Sequence, residues 1–61
     1  MKVEEICIID VNGKNIVDIN SKAILLEIKD RFIDVSYIGY SGYRRHVLIP
    51  STNISQVLYR E

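Results

Sequence analysis

The segment ICIIDVNGKNIVDI, residues 6–19, carries the clearest indication of fold in this 61-residue chain. Two runs of alternating apolar side chains flank Asn12-Gly13, a pair that tolerates the positive φ of a tight β-hairpin turn. A two-residue loop there fixes the register of both strands, because each residue then has one defined partner. The expected core-face pairs are Ile8–Val17 and Ile6–Ile19, with Asp10–Asn15 at the rim.

The opposite face of this hairpin is expected to pair Ile9 with Ile16 and Cys7 with Asp18. It would expose an apolar patch that a monomer has little reason to leave uncovered. A domain of this size buries only about 60% of its unfolded surface, and a single cysteine provides no intrachain disulfide. We therefore expect a homo-oligomer, with a self-association patch formed by Cys7, Ile9, Val11 and Ile16.

The composition of the whole chain favours strands. Eleven Ile and six Val stand against a single Ala, and side chains branched at Cβ suit a pleated sheet better than a helix. Period-two alternation recurs between short turn signals. The sequence predicts one all-β domain over residues 1–61. The turn signals are Asn12-Gly13, Asn20-Ser21, Asp30-Arg31, Ser41-Gly42 and Pro50-Ser51.

A second hairpin is predicted around a tight turn at Asp30-Arg31. Its expected core-face pairs are Ile28–Ile33, Leu26–Val35 and Ile24–Tyr37. The same register places Glu27 opposite Asp34 on the outer face, which could suggest an acid/base pair. We interpret the two carboxylates as part of a solvated face, where Lys29 and Arg31 relieve their repulsion.

A third hairpin is predicted around Ser41-Gly42, between strands at residues 32–39 and 45–49. Two registers are open. A three-residue loop would place Val35 opposite Ile49 and Tyr37 opposite Val47 on the core face, whereas a two-residue loop would place His46 and Leu48 there. The first is preferred, because burying an uncompensated imidazole is costly.

The segment Ile49-Pro50-Ser51-Thr52-Asn53-Ile54 predicts a strand end, a short helical turn at 51–53 and a last strand. Pro50 lacks an N–H donor and stops the ladder, and the polar side chains that follow favour a tight turn. This segment resembles the end of Src-homology-3-like small barrels, and the resemblance implies a barrel of five or six strands. Sm-like and oligonucleotide-binding barrels are neighbouring options. Asn53 replaces the aromatic residue of that family's motif, so the groove for Pro-rich ligands is not carried over.

The most unusual segment spans residues 37–46, where three tyrosines, two arginines and the only histidine cluster. Tyrosine and arginine are enriched at protein-interaction hot spots. We expect a small interaction module or regulator that binds a partner protein through this hairpin. The candidate partner-binding residues are Tyr40, Tyr43, Arg44, Arg45 and His46.

Two other functions remain open. Tyr40, Tyr43, Arg44 and Arg45 could stack bases and contact the phosphates of single-stranded nucleic acid. A net charge of zero limits such binding, because few phosphates would be neutralised. The third possibility is a structural subunit of a homo-oligomeric assembly.

Several function classes find no support in the residues. Cys7 and His46 could form a nucleophile–base pair, but Cys7 is predicted in mid-strand, away from groups that lower a thiol pKa. One cysteine and one histidine provide no ligand cluster for a metal, and no glycine-rich phosphate loop is present. No apolar run approaches the ~18 residues of a membrane span. We expect a cytoplasmic, non-enzymatic protein without cofactor or metal.

Overall fold

Five strands and one short 3-10 helix make up the computed structural model, which describes residues 1–61 apart from the side chain of Lys22. The elements in chain order are β1 (Lys2–Asp10), β2 (Asn15–Ile28), β3 (Phe32–Ile38), β4 (Arg44–Pro50), the 3-10 helix (Ser51–Asn53) and β5 (Ile54–Arg60). The predicted all-β class is confirmed, as is the helical turn at 51–53. In the part of the chain that the structure describes, no helix is long and apolar enough to cross a membrane.

The strands form one antiparallel sheet in the order β4-β3-β2-β1-β5, which curls into a half-barrel. The long strand β2 belongs to both halves of the sheet. Its first part pairs with β1, and its second part, from Leu25 to Ile28, pairs with β3. Because β4 and β5 lie at the two ends of this order, each leaves one edge of the sheet open.

Strand β2 bends where it passes from one neighbour to the other. Between Asn20 and Ile24 it contains three residues, whereas the paired stretch of β1 contains only Glu4. At this irregularity the core-facing positions of β2 change from odd-numbered to even-numbered residues, and those of β1 change from Val3 to Ile6. We call residues 21–23 the β2 bend. The turn signal at Asn20-Ser21 therefore corresponds to a bulge within one continuous strand.

The core lies on one face of the curled sheet and is built from alternate residues of four strands. Burying each of these side chains contributes about 1.5–3 kcal/mol. Its buried members are Val3, Ile6, Ile8, Val17, Ile24, Leu26, Ile33, Val35 and Ile49. Partly buried side chains pack against them: Ile19, Tyr37, Val47, Ile54 and Val57.

The first hairpin has the predicted pairs in its central part. The confirmed pairs are Ile8–Val17, Ile6–Ile19 and Cys7–Asp18. The pairs predicted near the loop are wrong, because Ile9 lies opposite Asn15 and leaves Ile16 as an extra residue in a bulge. Asp10 therefore does not pair with Asn15, and Ile16 does not pair with Ile9.

Asp10 organises the loop of this hairpin, which has three residues rather than the predicted two. The Asp10 N–H donates to the Lys14 carbonyl at 2.8 Å, and the Gly13 N–H donates to the Asp10 carbonyl at 3.0 Å. The Asp10 carboxylate is buried and accepts hydrogen bonds from the N–H groups of Asn12 at 2.9 Å and Lys14 at 2.8 Å. Gly13 has φ 82°, the left-handed conformation that closes a three-residue loop.

The second hairpin follows its predicted register. The confirmed pairs are Ile28–Ile33, Leu26–Val35 and Glu27–Asp34, but Ile28 lies outside the core because it is 60% exposed at the end of β2. Pairing ends at Leu25 and Ser36, so the predicted pair of Ile24 and Tyr37 lies beyond the ladder. The predicted tight turn forms without a positive φ at Asp30-Arg31.

The third hairpin differs from both predicted registers. Val35 pairs with Val47 and Ile33 with Ile49, a shift of two residues from the preferred alternative. The face is nevertheless the preferred one, because Val47 and Ile49 turn towards the core while His46 is exposed.

The loop of the third hairpin repeats the geometry of the first. The Gly39 N–H donates to the Tyr43 carbonyl and the Gly42 N–H donates to the Gly39 carbonyl, both at 3.0 Å. Gly42 has φ 83°, and the loop residues are 40–42 rather than the expected 41–43. The two hairpins thus use Asn12-Gly13 and Ser41-Gly42 in the same way.

The 3-10 helix connects the two edge strands across the end of the half-barrel. The Ser51 N–H donates to the Arg31 carbonyl at 2.9 Å, and the Asn53 carbonyl accepts from the Val11 N–H at 3.1 Å. Main-chain contacts therefore hold the turn, and no side-chain cap contributes, which corrects the expectation that side chains of 51–53 close it. Ile54 then packs against the core as expected.

Candidate functional site

The tip of the third hairpin is the most exposed part of the predicted binding segment. Tyr40 has a relative exposure of 113% and Tyr43 of 75%. Tyr40 is in the three-residue loop and Tyr43 directly follows it, so neither ring packs against the core. Large aromatic surfaces left in water favour contact with another molecule.

Strand pairing separates the candidate residues onto two faces of the sheet. Arg45 lies opposite Tyr37 and shares the core-side face with it. Arg44 lies opposite Ile38, and His46 lies opposite Ser36, on the outer face. The structure therefore does not bring Arg44, Arg45 and His46 into one cluster.

Arg44 makes contacts within the chain. Its Nη1 donates to the Ser36 hydroxyl at 3.0 Å and to the Ala23 carbonyl at 3.1 Å. Ser36 is 3% exposed, and Ala23 belongs to the β2 bend. Arg44 thus supplies a donor to a main-chain carbonyl that the bulge leaves outside the regular ladder.

His46 faces the carboxylate pair that the second hairpin creates. Its Nδ1 lies 3.0 Å from Asp34 Oδ1, and Lys29 Nζ lies 3.0 Å from Glu27 Oε2. A cation, Lys29, thus accompanies Glu27, and the His46 ring lies within hydrogen-bond distance of Asp34, as expected for a solvated face. The partner of Asp34 is His46 rather than the predicted Arg31.

Arg45 is the arginine that remains available at the tip. Among the described side chains it has no hydrogen-bond or ion-pair partner. It lies over Gly39: a Cβ added to Gly39 would come within 2.8 Å of Arg45 Nε. Because Gly39 has no side chain, the Arg45 side chain can lie along the hairpin.

A groove of ≈ 510 Å³ runs between this hairpin and the β2 bend. We call it the tip groove. One wall combines aromatic surface with the free guanidinium of Arg45, and the other supplies amide and hydroxyl groups. Its lining residues are Ile19, Asn20, Ser21, Tyr37, Ile38, Gly39, Tyr40 and Arg45.

The sequence prediction missed the β2 wall of the groove, namely Asn20 and Ser21. These residues lie beside the tip where the pairing of β2 with β3 has ended, beyond Ser36. A signal was present, since apolar positions change from odd to even between Ile19 and Ile24. Such a parity change requires a bulge if one face is to stay in the core.

The predicted self-association patch lies on the outer face near β5. Cys7 and Ile9 are half-buried, whereas Val11 is 58% and Ile16 39% exposed. The Cys7 thiol donates to Asn15 Oδ1 at 3.3 Å. The prediction omitted Leu58, which lies opposite Cys7 in the sheet and is 52% exposed.

Comparison of the chain with protein-family models, with curated proteins and with solved structures gives no significant match.

Proposed function

We propose that this chain is a non-enzymatic interaction module that binds a partner protein through the tip groove. The observation that carries the proposal is a fully exposed tyrosine, Tyr40, beside an arginine, Arg45, that has no partner among the described side chains. Both line a groove whose opposite wall is polar. We expect the partner to offer an apolar side chain and a carboxylate.

The physical basis lies in the contribution that each residue type makes to an interface. Tyr40 offers a rigid ring with a polar tip, and ordering it costs little side-chain entropy. Arg45 offers planar donors that match a carboxylate. Covering the half-buried ring of Tyr37 and the exposed ring of Tyr40 would remove apolar surface from water.

The resemblance to Src-homology-3-like barrels is part of this proposal. The 3-10 turn between β4 and β5, and a strand β2 shared by both halves of the sheet, support it. The proposed binding surface does not depend on the family's groove, because Asn53 occupies the aromatic position of the motif. It depends on the tip groove alone.

Nucleic-acid binding is the weaker candidate. Of the two neighbouring arginines, Arg44 is engaged with Ser36 and Ala23, which leaves Arg45 as the available cation at the tip. One or two phosphate contacts per protomer give weak binding at physiological salt. We therefore treat nucleic acid as an alternative outcome of the test.

The test is affinity capture with matched variants. A Tyr40→Ala/Arg45→Ala double variant should lose the captured protein, whereas Arg31→Ala should retain it. Arg31 is a suitable control because it is exposed and lies at the opposite end of β3. Circular dichroism of each variant should match that of the wild type.

Two results would contradict the proposal. Equal capture by the double variant would mean that the tip groove is not the binding surface. Loss of all capture after nuclease treatment, with oligonucleotide affinity that falls steeply with salt, would favour nucleic acid instead.

A further inference from the structure

The loop of the first hairpin contains the asparagine of this chain that is most prone to spontaneous chemical change. Asparagine is thermolabile, because the main-chain nitrogen of the following residue can attack its side-chain amide. A following glycine leaves that nitrogen unhindered, since glycine has no Cβ. Of the four asparagines in the chain, Asn12 is the one that glycine follows. Asn12 and Gly13 are both exposed, so water reaches them.

Deamidation at this pair needs water and no other reactant. The Gly13 nitrogen bonds to Cγ of Asn12, the bond from Cγ to Nδ2 breaks, and ammonia leaves with the Gly13 amide proton. Water then opens the cyclic imide at one of its two carbonyls, which gives aspartate or isoaspartate. No atom is oxidised or reduced. Ring closure requires Asn12 to turn the Gly13 nitrogen towards its own side chain.

Three consecutive main-chain N–H groups of this loop are donated to one residue, Asp10. The Gly13 N–H donates to the Asp10 carbonyl at 3.0 Å, so the nitrogen that must lose its proton is held in a hydrogen bond. The N–H groups of Asn12 and Lys14 donate to Asp10 Oδ1 at 2.9 Å and 2.8 Å. They fix the main chain on both sides of Gly13. A type I turn also keeps ψ of Asn12 at about 0°, and closing the ring requires this angle to rotate.

The third hairpin has the same loop without a side-chain acceptor. Gly39 occupies the place of Asp10, and Ser41-Gly42 occupies the place of Asn12-Gly13. The Gly42 N–H still donates to the Gly39 carbonyl at 3.0 Å. Glycine has no carboxylate for the neighbouring N–H groups, so comparing the two loops isolates the effect of the Asp10 side chain.

We propose that Asn12 is a site of spontaneous deamidation that the folded loop suppresses, and that the Asp10 carboxylate is the group responsible. The reaction then proceeds from the minor population in which the loop has opened. Aspartate would add a negative charge two residues from the buried Asp10 carboxylate, and isoaspartate would add one carbon to the main chain before Gly13. Either product disturbs the hydrogen bonds that close the loop.

The test places a second Asn-Gly pair in the loop that lacks the carboxylate. Ser41→Asn does this within one folded molecule, so both sites share the same global stability, buffer and incubation. Mildly alkaline buffer favours loss of the amide proton. Trypsin separates the two sites into peptides 3–14 and 32–44, which contain one asparagine each, and mass spectrometry then gives each rate. The new site should react about tenfold or more faster than Asn12, since two hydrogen bonds to a buried carboxylate hold the first loop closed.

Variants of Asp10 in the Ser41→Asn background assign the effect to the carboxylate. Asp10→Ala should raise the rate at Asn12 to that of the new site, whereas Asp10→Asn keeps an acceptor and should stay closer to the wild-type rate. In concentrated urea the two sites should react at similar rates, because neither loop is folded.

Two results would overturn the proposal. One is equal reaction at both sites of the folded Ser41→Asn protein, and the other is a folded Asp10→Ala variant whose Asn12 reacts no faster. If Asp10→Ala does not fold, the comparison within Ser41→Asn still decides the question. Capture of a partner by the tip groove is a separate readout, so either proposal can fail alone.

Discussion

Replacing Asp10 by alanine tests whether a buried carboxylate sets the length of the first loop. Asp10 is 7% exposed, and its Oδ1 accepts the N–H groups of Asn12 at 2.9 Å and Lys14 at 2.8 Å. Alanine removes this acceptor and with it both hydrogen bonds. Because a buried donor without an acceptor costs about 1–3 kcal/mol, and water reaches these exposed loop residues, we expect a total loss of about 2 kcal/mol.

Asp10→Asn is the matched control, because the asparagine Oδ1 can accept the same two hydrogen bonds. We expect it to lose less than about 1 kcal/mol. Urea denaturation followed by circular dichroism measures both values, and an unchanged m-value would show a change in stability rather than in the compactness of either state. Asp10→Ala should also lower Tm by about 8–16 °C. An Asp10→Ala variant as stable as the wild type, or an Asp10→Asn variant that loses as much stability as alanine, would contradict this role of Asp10.

The remaining predictions concern the third hairpin and the β2 bend. Gly42→Ala should destabilise the protein by about 1 kcal/mol or more, because Gly42 has φ 83°, whereas Gly39→Ala should change the unfolding midpoint little. Gly39→Ala should instead weaken partner capture, since its Cβ would displace Arg45; unchanged capture would argue against a role for Arg45. Arg44→Ala should cost about 1–3 kcal/mol, because the Ser36 hydroxyl loses a donor while buried. In a double-mutant cycle with Ser36→Ala the two losses should be less than additive, and strict additivity would contradict the contact.

Apolar alternation fixes which face of each strand packs in the core, and the central pairs Ile8–Val17 and Leu26–Val35 match the registers predicted from the turn positions. In the first hairpin they match because the extra residue Ile16 offsets the longer loop. Loop length was harder to predict, since an Asn-Gly pair fits a two-residue loop as well as a three-residue loop. The Asp10 side chain decides between them, and alternation says nothing about it.

The proposed binding surface was only partly predictable. The tyrosine and arginine cluster pointed to the tip, but residue type alone could not separate Arg44 from Arg45. Their roles depend on which face each occupies, and the predicted register of the third hairpin was wrong by two residues. The second wall of the tip groove depends on the β2 bend, where no glycine or proline marks the change of direction.

Site-specific photo-crosslinking tests the central claim most directly. A photoreactive phenylalanine analogue at position 40 would place the probe at the tip groove, and the same analogue at position 12 would place it on the other three-residue loop. We predict a protein adduct of defined mass at position 40 and none at position 12. Equal adducts at both positions, or none at position 40, would contradict the claim that the tip groove binds a partner protein.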